Sequence, residues 1–91
     1  MSINIVVFIK PNISDFRYFG EKLSILREIT LQEEGCDVFD FYTFEGKYVL
    51  IERWESQECI DLHMNKDYTF SFIDQTRDFV ISTEIFRLNN F

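Results

Sequence analysis

The stretch Lys47-Tyr48-Val49-Leu50-Ile51-Glu52-Arg53-Trp54-Glu55 decides the fold. Its β-branched and aromatic residues suit a pleated strand. Tyr48, Leu50 and Trp54 fall on one face of such a strand, and Val49 and Ile51 on the other. The pair Glu45-Gly46 in front of it signals a tight turn, and Asp37 to Phe44 beyond that turn is a second run of Phe, Val and Tyr. Asp37–Glu55 is therefore expected to be a β-hairpin. A hairpin half covered by protein would alternate apolar with polar residues. This one is apolar on both faces.

Working outward, Ile3 to Lys10 reads as a strand bounded by Pro11-Asn12. Ser14 is the expected helix N-cap, with Asp15 in the first turn. Phe16, Phe19, Leu23, Leu26 and Ile29 then recur at helical spacing, which predicts a helix to about Glu34 with Gly35 as its stop. After the hairpin, Ser56 caps a short helix from Gln57 to about Asn65. Asp67 to Phe79 is a second helical piece, with Phe70, Ile73 and Arg77 on one side. Val80 to Leu88 is the last strand, and Asn89-Asn90-Phe91 a tail. The order is βαββαβ with the second helix broken in two. That is the α+β, ferredoxin-like split pattern: one antiparallel sheet with both helices on one face.

Composition narrows the function classes. The 91 residues suit one domain spanning 1–91. Apolar residues at 46% exclude a disordered acidic tail. No run of ~18 apolar residues exists, so no membrane partner is expected. The net charge of −7 opposes a phosphate-binding surface, so nucleic acid is not expected either. Cys36 and Cys59 make no disulfide framework, and Met1-Ser2-Ile3-Asn4 lacks a basic leader segment. A cytoplasmic location follows as the expectation.

The strands carry more apolar surface than two helices can cover. Val6 and Phe8 oppose Ile3, Ile5, Val7 and Ile9; Val38, Tyr42 and Phe44 oppose Phe39 and Phe41; Val49 and Ile51 complete the leftover face. At ~25 cal/mol per Å2, leaving about six large groups in water forgoes on the order of 10 kcal/mol. That rivals the whole stability of a small domain. An obligate homodimer, with two sheets packed through the open face into a barrel, removes the problem.

Three segments also carry a resemblance: Glu33-Glu34-Gly35-Cys36, then Tyr48 through Ser56 ending in Glu52-Arg53-Trp54-Glu55-Ser56, then His63. Together they resemble the antibiotic biosynthesis monooxygenase domain family of the dimeric α+β barrel superfamily. Glu52, Trp54, Ser56 and His63 match its pattern in order and spacing. The resemblance implies a dimer and a small cavity in each subunit between helices and sheet. It also implies, for some members, oxidation of aromatic polyketides or quinols without metal, flavin or haem, the electron-rich substrate anion itself reducing O2. Other members isomerise small sugar-derived ketones, degrade haem, or have no known reaction. This chain has Leu50 where the polyketide-oxidising members carry Asn and Ile60 where they carry Tyr, so two hydrogen-bonding groups are missing. It has Ile73 where the haem-degrading members place the iron-binding His.

The candidate site follows from these positions. His63, the only histidine, is the candidate acid/base; the alternative is a hydrogen-bonded histidine of the rim or core. Trp54 is either a pocket wall that stacks on a planar substrate or a core aromatic. Glu52 is a carboxylate in an apolar cavity with a raised pKa if its face turns inward, and otherwise an ion-pair partner of Arg53 or of Arg87 across a dimer. Tyr68 donates to a substrate oxygen or packs on a helix face. Leu50 and Ile60 complete the expected pocket. Neither cysteine has a basic neighbour in sequence, so neither is expected to be an activated thiolate. No metal-ligand spacing and no glycine-rich phosphate loop exists, so no cofactor is expected. The reading is a cofactor-independent monooxygenase acting on a small hydroxyaromatic or quinol. The alternatives are a non-catalytic small-molecule-binding or structural dimer, which the apolar Leu50, Ile60 and Ile73 favour, and a small-molecule isomerase using His63 for enolisation. The first test is sedimentation at micromolar concentration: a dimer is expected, and a monomer contradicts the surface argument.

Overall fold

Glu45 and Gly46 both take left-handed backbone, at φ 48° and 77°. That is the pattern of a two-residue type I′ turn, whose twist matches the strands it joins. Around it a computed structural model describes residues 2–90. Met1 and the tail residue Phe91 lie outside them. The strands are β1 (Ile3–Pro11), β2 (Cys36–Phe44), β3 (Lys47–Trp54) and β4 (Val80–Leu88). The helices are α1 (Phe16–Thr30), α2 (Gln57–Met64) and α3 (Asp67–Thr76), with 3-10 turns at Ile13–Asp15 and Arg77–Phe79. The sheet is antiparallel with order β2-β3-β1-β4. The fold is the α+β, ferredoxin-like split, with the second helix in two pieces.

The first helix departs from expectation at both ends. Asp15, not Ser14, holds the N-cap position, because a 3-10 turn already occupies Ile13–Asp15. The helix also stops at Thr30, short of Glu34. Beyond it the chain tightens, with Gln32 N–H donating to the Ile29 carbonyl and Glu33 N–H to that of Thr30. Gly35, at φ 84°, then serves the turn into β2. A Cβ there would come within 2.4 Å of Cys59 Sγ on α2, so the close approach of turn and helix requires glycine. This early stop frees Glu33 from the helix.

Alternation along the strands puts Val7, Ile9, Phe39, Tyr48, Leu50 and Trp54 on the helix-covered face, packed against Phe19, Leu23 and Leu26 of α1. Tyr48 is a core residue and more than a hairpin aromatic. Its hydroxyl donates to the Phe16 carbonyl at 2.7 Å, and its ring stacks on Phe16 at 4.4 Å. The opposite face has no helix. Val6 pairs there with Ile51 and Phe86, and Phe8 with Val49. Phe8 and Phe86 meet edge to face at 6.0 Å. Tyr42, Phe44, Phe86 and Leu88 all remain exposed. No described helix is long and apolar enough to cross a membrane.

The tightest helix–sheet contact is at Gly20, where a Cβ would stand 2.2 Å from the Tyr48 hydroxyl. Gly20→Ala is expected to destabilise the chain by about 1–3 kcal/mol in urea unfolding. Combined with Tyr48→Phe, the loss should be less than the sum of the two, since both substitutions act on one contact.

Candidate active site

The site is assembled by three local features. β3 alternates Leu50, Glu52 and Trp54 onto its covered face. Ser56 then starts α2 as the expected cap, its hydroxyl accepting from the Cys59 N–H at 3.3 Å. Two turns on, His63 packs over the sheet, 4.8 Å from the Trp54 ring and 6.0 Å from that of Phe39. Third, the turn after α1 delivers Glu33.

Glu33 is the residue that sequence reasoning missed. Its Oε2 lies 2.7 Å from His63 Nδ1 and accepts from the Tyr68 hydroxyl at 2.5 Å. The His63 and Glu33 side chains are only 7% and 8% exposed. Nδ1 donates to the carboxylate, which leaves Nε2 as the free ring nitrogen. A base oriented by a buried acceptor is the arrangement that acid–base catalysis requires. The signal for Glu33 was present in Glu33-Glu34-Gly35, but nothing local says which of two adjacent carboxylates turns inward.

A cavity of about 340 Å3 lies between sheet and helices. Leu50, Glu52, Ile60 and His63 all line it, with Ile73, Ile85 and Arg87 on the β4 side. Glu52 therefore faces inward. Burial raises its pKa above the ordinary carboxylate value; the Trp54 hydrogen bond and nearby His63 pull the other way but less strongly. Within one chain it pairs with neither Arg53 nor Arg87. Arg53 lies on the opposite face, donating to Asn4 Oδ1 at 3.0 Å, and Arg87 donates to Gln57. Glu52 instead accepts from Trp54 Nε1 at 2.9 Å.

Two other expectations are corrected. Trp54 does not line the cavity. It is fully buried behind His63, and its N–H is already spent on Glu52 because a buried indole needs an acceptor. Tyr68 also stands outside the cavity, lining a groove between α1 and α3. Burial and donation to Glu33 raise its pKa, so the phenol stays protonated and holds the carboxylate. Cys36 is pushed up to about 12, by burial first and then by Glu33 and Glu52, so it is no thiolate.

The sequence profile of the antibiotic biosynthesis monooxygenase family matches residues 2–75. The chain belongs to this family. Among solved structures, this family member resembles Rv0793 from Mycobacterium tuberculosis at TM-score 0.92, with 19% identity over 100% of this chain and 96% of that one. It also resembles a conserved protein from Methanosarcina mazei Go1 at TM-score 0.92, with 21% identity over 100% and 94%. These likenesses establish the fold. The uncharacterized protein YjcS of Bacillus subtilis (strain 168) is 34% identical over 58 residues, 60% of this chain. The match spans just over half, 55%, of YjcS.

The Glu52 environment has a measurable consequence. A carboxyl with a raised folded-state pKa stabilises the fold below the ordinary value of 4.5, and that contribution is lost as pH rises through the folded-state pKa. Glu52→Gln keeps an acceptor for Trp54 and removes the titration. It is expected to be the more stable protein at pH 7, with the advantage vanishing near pH 4, as read by urea unfolding across that range.

Proposed function

We propose that this chain is a monooxygenase that oxidises a small hydroxyaromatic or quinol using the substrate's own electrons, without metal, flavin or haem. One observation carries the reading: His63 is held through Nδ1 by a buried carboxylate while its ring borders an apolar cavity. Membership in the monooxygenase family supports it. His63 Nε2 takes the hydroxyl proton, and Glu33 stabilises the resulting imidazolium. The apolar walls displace water from the faces of the electron-rich anion that they contact. The anion reduces O2: a quinol and O2 become a hydroxyquinone and water, one oxygen atom entering the ring and the other leaving with two hydrogens. Glu52, biased towards its protonated form, is placed to hydrogen-bond a second substrate oxygen.

A homodimer through the helix-free face is part of this proposal. Val6, Phe8, Val49, Ile51 and Phe86 cluster there without cover from their own chain, and a two-fold pairing of identical sheets covers them. A second reading, a small-molecule-binding dimer without chemistry, is favoured by the apolar Leu50, Ile60 and Ile73 in the cavity wall. Oxygen uptake separates the two. With quinols and anthrone-like phenols under air, wild type is expected to consume O2. His63→Ala should be slower by about 10²–10⁴-fold, and Glu33→Gln should be slowed as well, because a neutral amide no longer offers the negative charge that stabilises the imidazolium. If wild type and His63→Ala are equally inert across the panel, the oxygenase reading is lost.

A further inference from the structure

The cavity beside His63 adjoins a second one. A neighbouring hollow of about 380 Å3 shares Phe72 and Ile73 of α3 with it. The floor is continuous. On β1, Ile5 and Val7 line the first hollow and Ile9 the second; on β4, Ile85 lines the first and Thr83 the second. These are successive inward positions, two residues apart, so the hollows lie end to end along the strands.

Both hollows are mainly apolar. The first also holds the groups suited to the reacting ring, His63 and Glu52, with exposed Arg87 in its lining. In the second, the buried Thr76 hydroxyl is already satisfied, donating to the Phe72 carbonyl at 2.8 Å. Ile9, Phe19, Phe72, Ile73 and Val80 make most of that hollow's wall apolar, with Thr83 and exposed Arg77 also lining it. A bare one-ring quinol occupies only part of the first hollow and leaves the second empty.

We propose that the substrate is a hydroxyaromatic bearing an alkyl or prenyl tail, its ring beside Glu52 and His63 and its chain passing Phe72 and Ile73 beneath α3 towards Val80. The inference rests on the reading of the His63 site as one for hydroxyaromatics. It adds that specificity resides in the chain, and that the second hollow belongs to the ligand and is not covered by another subunit.

The test is calorimetric binding, under argon, of hydroquinones with a 2-alkyl chain from methyl to hexyl. Affinity is expected to rise about fourfold per methylene over the first four, the equivalent of ~0.8 kcal/mol for each buried CH2. Thr83→Phe, on the exposed strand β4, fills the second hollow; Val80→Phe is a second plug. Either should bind methylhydroquinone as wild type does and lose the chain-length gain. If methylhydroquinone binds but chain length makes no difference, the tail proposal is overturned and the His63 reading stands. If no hydroquinone binds at all, both fall. A chain-length gain that survives both plugs, or a Thr83→Phe protein that sediments at half the wild-type mass, also overturns the proposal, the latter by showing that a second subunit covers the hollow.

Discussion

Helices on one side of a four-stranded sheet can bury only that side. Here α1, α2 and α3 all lie against the face that carries Val7, Leu50 and Trp54, and the face that carries Val6, Phe8 and Phe86 is left bare. The same asymmetry creates the site. The helix layer does not close down fully along β4, where Ile85 stays 68% exposed, and the space between α3 and that strand is the cavity. Surplus apolar surface on one face and unfilled volume on the other thus have one geometric origin.

Around that volume the polar groups form two separate hydrogen-bonded sets. Trp54 donates to Glu52, whereas His63 and Tyr68 both donate to Glu33. Each of these three donors has an acceptor, as low-dielectric surroundings demand. The two carboxylates do different work. Glu33 accepts two hydrogen bonds and fixes a histidine tautomer. Glu52 accepts one, from an indole, and is pushed towards its neutral form by burial. The proposed tail hollow adds specificity without adding charge, in keeping with a wall of Ile9, Phe19 and Val80.

Much of the fold was legible because its signals are local. Glu45-Gly46 needed a left-handed turn, Ser56 needed a helix behind it, and the alternation of Tyr48, Leu50 and Trp54 named the core face of β3. The helix-start error at Ser14 and the overlong first helix were also local in origin. Capping preference and a distant glycine were weighed, while a 3-10 turn and the close approach of α2 decided the outcome. The placement of Leu50, Glu52, Ile60 and His63 around the cavity was legible from strand and helix period. That of Trp54 and Tyr68 was not, because a residue on the right face can still sit one layer behind the cavity.

The sequence by itself determined the order of elements, which strand faces are apolar, and that His63 follows the Glu52-to-Ser56 motif at a set distance. Those depend on neighbours along the chain and on strand and helix period. Only the tertiary structure decided that Glu33 rather than Glu34 meets His63, that Glu52 answers Trp54 rather than an arginine, and that two hollows adjoin under α3. The Glu33–His63 pairing joins residues thirty positions apart. Their geometry is set by where α1 stops and how closely α2 approaches Gly35, and no periodicity in the chain encodes either distance.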